Sequence, residues 1–265
     1  MDRRCEERKV TNVNTEIQGE EHWTNSGPAR LFMWRKHVPS NAQRKGVILF
    51  VHGSSMASTP TFDLVVPGRP DSSVMEWFAR QGFDTWCVDM QGYGRATKDR
   101  RNNSDIATGA EDCAAAAAYI RSLVSGERLM VYGISSGALR AALFAQNHPD
   151  DVCALALDAF VYTGRGSPTL SQRKANLQRF LASPTRPIDR AFVQSIFDRD
   201  HPGTAEQNVI DAFADAILAL DSDMPNGTYV DMCSNLPVVD PQRVTAPTLI
   251  LRGEYDGIAS MDDLA

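Results

Sequence analysis

The pentapeptide Gly133-Ile134-Ser135-Ser136-Gly137 sets a serine between two glycines, directly after an apolar run and at the head of a helical pattern. A serine in that position can attack a carbonyl carbon when the chain turns sharply from strand to helix around it, a turn that admits only very small residues two places before and two after. The attack creates an oxyanion, which needs N–H donors fixed in advance. The backbone N–H of Ser136, at the start of a helix, supplies one. The second is assigned to the backbone of Ser54, because the apolar run Val47–Val51 leads into the small-residue loop His52-Gly53-Ser54-Ser55. His52, just before the glycine, is read as the residue that fixes this loop rather than as a base. The plain alternative for Ser135 is a helix N-cap.

A serine hydroxyl needs an imidazole to take its proton and a carboxylate to orient that imidazole. Asp158 follows the apolar run 152–157, and Asp256 closes the segment Gly253-Glu254-Tyr255-Asp256 after the run 249–251. Asp89 opens Asp89-Met90-Gln91-Gly92-Tyr93-Gly94 and is read as structural. The five histidines are His22, His37, His52, His148 and His201. The first four are read as structural or solvated. His201 lies in Asp198-Arg199-Asp200-His201-Pro202, where a folded-over insertion could carry it to the site, although a loop histidine beside two aspartates is commonly just solvated. That cluster offers too few strong ligand types for a metal. Neither a metal nor a cofactor is assigned.

Short apolar runs at 47–51, 83–88, 129–132, 152–157 and 249–251 alternate with helical patterns at 73–81, 108–124 and 136–147. Strands buried on both faces by helices have this form, so the fold class is α/β, with a mostly parallel, doubly wound sheet. Segments 10–18 and 30–36 are expected to add an antiparallel edge. From residue 163 to about 240 the rhythm stops, and helical patterns at 171–181, 189–197 and 206–220 are punctuated by Pro184, Pro187, Pro202 and Pro225. A helical cap over the C-terminal edge of the sheet is expected there, since ligands bind at that edge. The chain thus divides into core 1–162, cap 163–240 and core 241–265. Phe160 and Tyr162, after the fourth run, are the expected pocket walls, joined by Phe192 and Phe197 from the cap; core packing is the alternative for each.

Four ordered landmarks resemble the α/β-hydrolase superfamily, in its serine esterase, lipase and acyl-aminopeptidase branch: His52-Gly53, the segment 89–94, the Ser135 turn, and Leu249-Ile250-Leu251-Arg252-Gly253-Glu254-Tyr255-Asp256. The resemblance covers the chain from about residue 30 to its end. It implies that Asp256, after the strand that follows the cap, is the acid, with Asp158 as the substitute one strand earlier. It excludes the branch that uses an aspartate nucleophile. It also implies the order serine, acid, histidine, yet residues 257–265 contain no histidine. The expectation is that the last strand, the closing helix and the base lie beyond residue 265. The implied activity is a serine hydrolase acting on an ester, thioester or amide of a small to medium apolar acyl substrate through an acyl-enzyme on Ser135. A non-catalytic binding module, and acyl transfer or carbon–carbon hydrolysis on the same turn, are the alternatives.

Composition narrows the partners. The 265 residues are 43% hydrophobic, ample for a large core, and carry a formal charge of −6 with acids and bases interspersed, so no field favours nucleic acid. The apolar runs are far shorter than the ~18 residues of a membrane span. Five cysteines without C-x-x-C spacing argue against a disulfide framework or structural zinc. The charged N-terminus lacks a secretory signal, and the chain is read as cytoplasmic; the oligomeric state is left open.

Overall fold

The computed structural model describes residues 16–39, 44–99, 101–124 and 126–263. The chain opens with a hairpin, β1 (Gln18–Ser26) and β2 (Ala29–His37), whose turn uses Gly27 at φ +54. The strand expected over 10–18 falls mostly outside the described residues, and β1 begins where it was to end. Its polar sequence, opening Gln18-Gly19-Glu20-Glu21, hid it. Edge strands tolerate such polar composition, and cross-strand contacts hold this one: Glu20 pairs with Arg35, and Trp23 packs on Phe32.

There follow β3 (Val47–Val51), α1 (Ser58–Phe62), α2 (Val74–Arg80), β4 (Asp84–Val88), α3 (Ile106–Leu123), β5 (Leu129–Ile134), α4 (Ser136–Asn147) and β6 (Val152–Asp158). The helices start where side chains can take their orphan N–H groups: Ser73 Oγ accepts from Glu76 at 3.0 Å and Asp105 Oδ1 from Thr108 at 2.8 Å. The last strand is β9 (Thr248–Leu251). The sheet runs β1-β2-β4-β3-β5-β6-β9, parallel from β4 onward and antiparallel at β1 and β2. This is the expected doubly wound arrangement.

Side-chain alternation divides the sheet's faces. Val47, Leu49 and Val51 of β3 join the main core with α3 and α4, whereas Ile48 and Phe50 face α1 and α2 with Phe62 and Met75. The chain leaves β3 toward one face and β5 toward the other. Between their carboxyl ends lies the switch point where open α/β sheets form a crevice. The sheet places the loop after β3 beside the turn after β5, which is where the chemistry is expected.

Between β6 and β9 the chain forms α5 (Pro168–Ala175), α6 (Leu177–Leu181), β7 (Thr185–Pro187), α7 (Arg190–Asp198), α8 (Gln207–Leu218), β8 (Asp223–Pro225) and α9 (Gly227–Ser234). The first expected helix breaks at Asn176, and β7 pairs antiparallel with β8 where prolines had suggested only loop. Pro187 and Pro225 fit because this two-stranded ribbon is all edge. The insertion shares the core: Leu170, Val193, Ile217, Met224 and Met232 belong to the same cluster as the strands. At the far side of the sheet β9 is an edge strand, and Leu249, Ile250 and Leu251 are exposed. No helix among the described residues is long and apolar enough to cross a membrane.

One ion pair ties the antiparallel hairpin to the parallel strands. Arg35 of β2 donates to both oxygens of Asp84 at 2.9 and 2.7 Å, and Asp84 is only 2% exposed. Removing Asp84 would leave the Arg35 guanidinium with only the more exposed Glu20 as a counter-ion. Asp84→Ala is therefore expected to lower unfolding free energy by about 3 kcal/mol in urea denaturation; a change within about 0.5 kcal/mol would contradict this role.

Candidate active site

Ser135 sits between β5 and α4 with φ +57 and ψ −123. That backbone region costs a non-glycine residue roughly 1–3 kcal/mol and persists only where its surroundings enforce it. Here the Ser135 N–H donates to Asp158 O at 2.8 Å on the neighbouring strand, and Ser135 O accepts from Ala138 at 2.9 Å. The flanking glycines are obligatory. A Cβ on Gly133 would lie 2.3 Å from Gly137 O, and one on Gly137 would lie 2.3 Å from Val51 O and 2.5 Å from His52 O. The start of α4 is thus pressed against the end of β3 with no space for a methyl group.

The same closeness brings the β3 loop to the serine. A Cβ on Gly53 would stand 3.4 Å from Ser135 Cβ. His52, fully buried, fixes that loop from both ring nitrogens: Nδ1 lies 2.8 Å from Gly53 O, and Nε2 accepts from the Met90 N–H at 3.1 Å. The second bond requires the proton on Nδ1, so Nδ1–H donates to Gly53 O. Because a trans peptide points its C=O and N–H in opposite directions, this bond also sets the direction of the Ser54 N–H. Neither the Ser54 nor the Ser136 N–H has a hydrogen-bond partner among the described residues. Both donors are left unspent beside Ser135. Burial, with the nearby Arg140 charge, pulls the His52 pKa down to about 3, which keeps it neutral in its loop-fixing role.

Asp89 is buried and spent. Its Oδ1 accepts from the Ser58 N–H and hydroxyl at 2.8 and 2.6 Å, and Oδ2 from the Arg95 N–H at 2.8 Å. The Tyr132 hydroxyl donates to Asp158 Oδ2. Asp256 differs: Oδ1 accepts from the Ile258 and Ala259 N–H groups at 2.7 and 3.1 Å, while Oδ2 has no partner among the described residues. Arg252 laces the same loop through the carbonyls of Ala259 and Asp256. A carboxylate anchored by one oxygen and free at the other can orient an imidazole. Asp256 also lines a cavity of about 630 Å³ with Arg199, Arg252 and Tyr255, and Ser135 is not among its lining residues.

None of the five histidines bonds to Ser135 Oγ. His22 contacts Tyr119 and Glu20, His37 contacts Glu20, and His148 packs on Phe144. His201 is exposed and stacks on Tyr255, with ring centroids 4.0 Å apart. Phe160 is buried in the main core, and Tyr162 packs against it, neither lining that cavity; Phe192 and Phe197 also pack on the core. What reaches the oxyanion loop from the insertion is polar instead. Arg186 of β7 donates to Ser54 O at 2.7 Å and to Ser55 Oγ at 3.1 Å, and the Tyr229 hydroxyl of α9 lies 3.1 Å from Ser55 Oγ. Sequence reasoning passed over both residues, since an arginine in Thr185-Arg186-Pro187 carries no motif. Among the described residues no group of three or more His, Cys, Asp or Glu side chains is placed to hold a metal ion.

A family model described as serine aminopeptidase, S33, matches residues 42–264. No curated protein matches the chain in sequence. A hydrolase from Pseudomonas aeruginosa superposes over 92% of this chain and 83% of its own at a TM-score of 0.63 and 15% identity. Potato (Solanum tuberosum) epoxide hydrolase I does so over 90% and 82%, at 0.60 and 17%. A bacterial membrane phospholipase A covers 93% of this chain and 73% of its own, at 0.62 and 18%. At these identities the likeness is one of fold.

Two outcomes follow from the geometry. Gly137→Ala should force β3 and α4 apart and cost about 3 kcal/mol of unfolding free energy, read in urea; a variant as stable as the parent would contradict the steric account. For His52, the unfolded imidazole takes up a proton below about pH 6.5 while the folded one stays neutral until about 3, so this residue's contribution is present above 6.5 and lost as pH falls. Between pH 7 and 5 the parent should lose about 2 kcal/mol more stability than His52→Gln. Equal losses would show that His52 is not buried neutral.

Proposed function

The chain belongs to the serine aminopeptidase S33 family of α/β-hydrolases, and on that premise we propose that it is a serine hydrolase that cleaves an ester, thioester or amide through an acyl-enzyme on Ser135. The observation that carries this reading is the strained backbone of Ser135, enforced by Gly133 and Gly137. An ordinary N-cap serine needs no such strain and adopts extended dihedrals.

In the proposed mechanism Ser135 Oγ attacks the carbonyl carbon and the carbonyl oxygen takes the electron pair. The Ser54 and Ser136 N–H groups receive that oxyanion, a contribution of about 3 kcal/mol for a single donor in other hydrolytic sites. Asp256, through its free Oδ2, orients the imidazole that takes the serine proton and returns it to the leaving group. That imidazole is proposed to come from a histidine outside these 265 residues. Collapse of the tetrahedral species leaves an acyl-serine, and water, deprotonated by the same imidazole, releases the acid. The insertion acts as the cap that shields the acyl group, and the substrate is proposed to be small to medium in size with an apolar body.

A fluorophosphonate probe tests the nucleophile. The protein that carries its histidine is expected to gain one adduct, located on Ser135 by peptide mass spectrometry, and Ser135→Ala should abolish both the adduct and p-nitrophenyl ester turnover. Folded protein that takes up no probe would replace this reading with that of a binding module. The 265 residues alone should label at least about a hundredfold more slowly, the contribution of a general base. Brisk labelling of that chain would place the base inside it, with His201 as the candidate.

A further inference from the structure

Two guanidinium groups in the insertion, Arg186 buried and Arg173 half-buried, have no carboxylate partner. Arg186 is 8% exposed, and all its partners are neutral: the carbonyls of Pro225 and Ser54, the Asn226 amide oxygen and the Ser55 hydroxyl. Its Nε has no partner. Arg173 of α5 donates no hydrogen bond to any described residue, and its Nη1 is buried and unpaired. The two lie over the ring of Tyr229, Arg186 at 3.8 Å and Arg173 at 4.0 Å from the centroid. The third nearby cation, Arg199, is neutralised by Asp200 at 2.7 Å. It lines the 630 Å³ cavity together with Gln172, the residue before Arg173.

A guanidinium charge drawn out of water with no carboxylate beside it is costly, and an unused guanidinium fork matches the spacing of two anionic oxygens. We propose that Arg173, backed by Arg186 and Tyr229, binds an anionic group of the substrate, so that the acyl chain cleaved at Ser135 ends in a carboxylate or a similar oxyanion. The placement supports this. Arg186 holds Ser54 O and Ser55 Oγ, Gly53 lies against Ser135, and Arg173 joins Arg186 at the Tyr229 ring. Arg186 is committed to shaping the oxyanion loop, whereas Arg173 retains its donors for a ligand. The local field has an independent sign in the Tyr229 phenol: burial pushes its pKa up, but the charges of Arg186 and Arg173, with the Ser55 bond, reverse this and bring it down to about 7. The apolar acyl group expected from the sequence thereby becomes one with an apolar body and an anionic end.

The proposal rests on Ser135 as nucleophile only for its link to the substrate, and the test separates the two. In the first arm, the arginine Nε–H signals of 15N-labelled protein are followed as sodium glutarate is added at constant ionic strength, with dimethyl glutarate, sodium phosphate and sodium chloride in parallel. Saturable shifts with glutarate and none with its uncharged ester or with chloride are expected, weakened at least tenfold in Arg173→Gln and unchanged in Ser135→Ala. Stronger saturation by phosphate would assign the site to a phosphorylated group instead of a carboxylate and overturn that part. Arg173→Lys, which retains the charge without the fork, should bind weakly while folding normally by circular dichroism. Shifts that persist in Arg173→Gln overturn the site. In the second arm, a fluorophosphonate with a terminal carboxylate should label Ser135 faster than a neutral alkyl probe, with the ratio falling at least tenfold in Arg173→Gln. In protein that carries the proposed histidine, glutarate binding with no labelling refutes the nucleophile alone; labelling with no carboxylate preference refutes the anion site alone.

Discussion

The carbonyl oxygens of Val51 and His52 occupy the space that a side-chain carbon at position 137 would need, and Gly137 itself occupies the space that one at 133 would need. From this double exclusion much of the site follows. With no Cβ at either place, the first turn of α4 seats directly on the end of β3, and the residue between the glycines must turn through a left-handed conformation to get there. The close seating draws Gly53 to the serine, and with it the Ser54 N–H. Helices on both faces of a twisted parallel sheet supply the pressure, since their buried apolar surface outweighs a local strain of a few kcal/mol.

Buried polar groups then hold the loops in place. His52 is neutral, with one nitrogen donating and one accepting, so it joins the loop after β3 to the loop after β4 without adding charge. Asp89 ties the backbone of Ser58 to that of Arg95. The insertion reaches the site through Arg186, which brings a full charge into a buried place. Its hydrogen bonds satisfy four of its donor contacts but not its charge, and Arg173 is less satisfied still. A scaffold built only for stability would favour apolar residues there.

How much of this was legible in the sequence depends on whether the cause is local. Four runs of buried strand and the α4 helix could be read directly, because burial on both faces leaves a continuous apolar pattern and because Pro149 ends the helix; the fifth run, 249–251, is a strand as expected but lies exposed at the sheet edge. The Ser135 turn was legible for a steric reason that needs only five residues. The β1 strand was not, since an edge strand carries polar residues and its pairing with β2 is a property of the hairpin. The β7 and β8 ribbon was hidden by Pro187 and Pro225, which in isolation signal loops. The pairing of Arg186 with Ser54 joins residues 132 apart, a distance over which no periodicity speaks. Phe160 and Tyr162 were expected at a pocket wall, and the structure packs them into and against the core; a phenylalanine's side of a wall depends on tertiary packing alone.

The central claim is that the enforced geometry at Ser135 exists to place an oxyanion between two free backbone donors. A crystal structure of the protein after reaction with an alkyl fluorophosphonate tests it most directly. The account predicts phosphorus bonded to Ser135 Oγ and the phosphonyl oxygen within hydrogen-bond distance, about 2.7–3.1 Å, of both the Ser54 and Ser136 nitrogens. Density on a different serine, or a phosphonyl oxygen turned away from those two N–H groups, would contradict it.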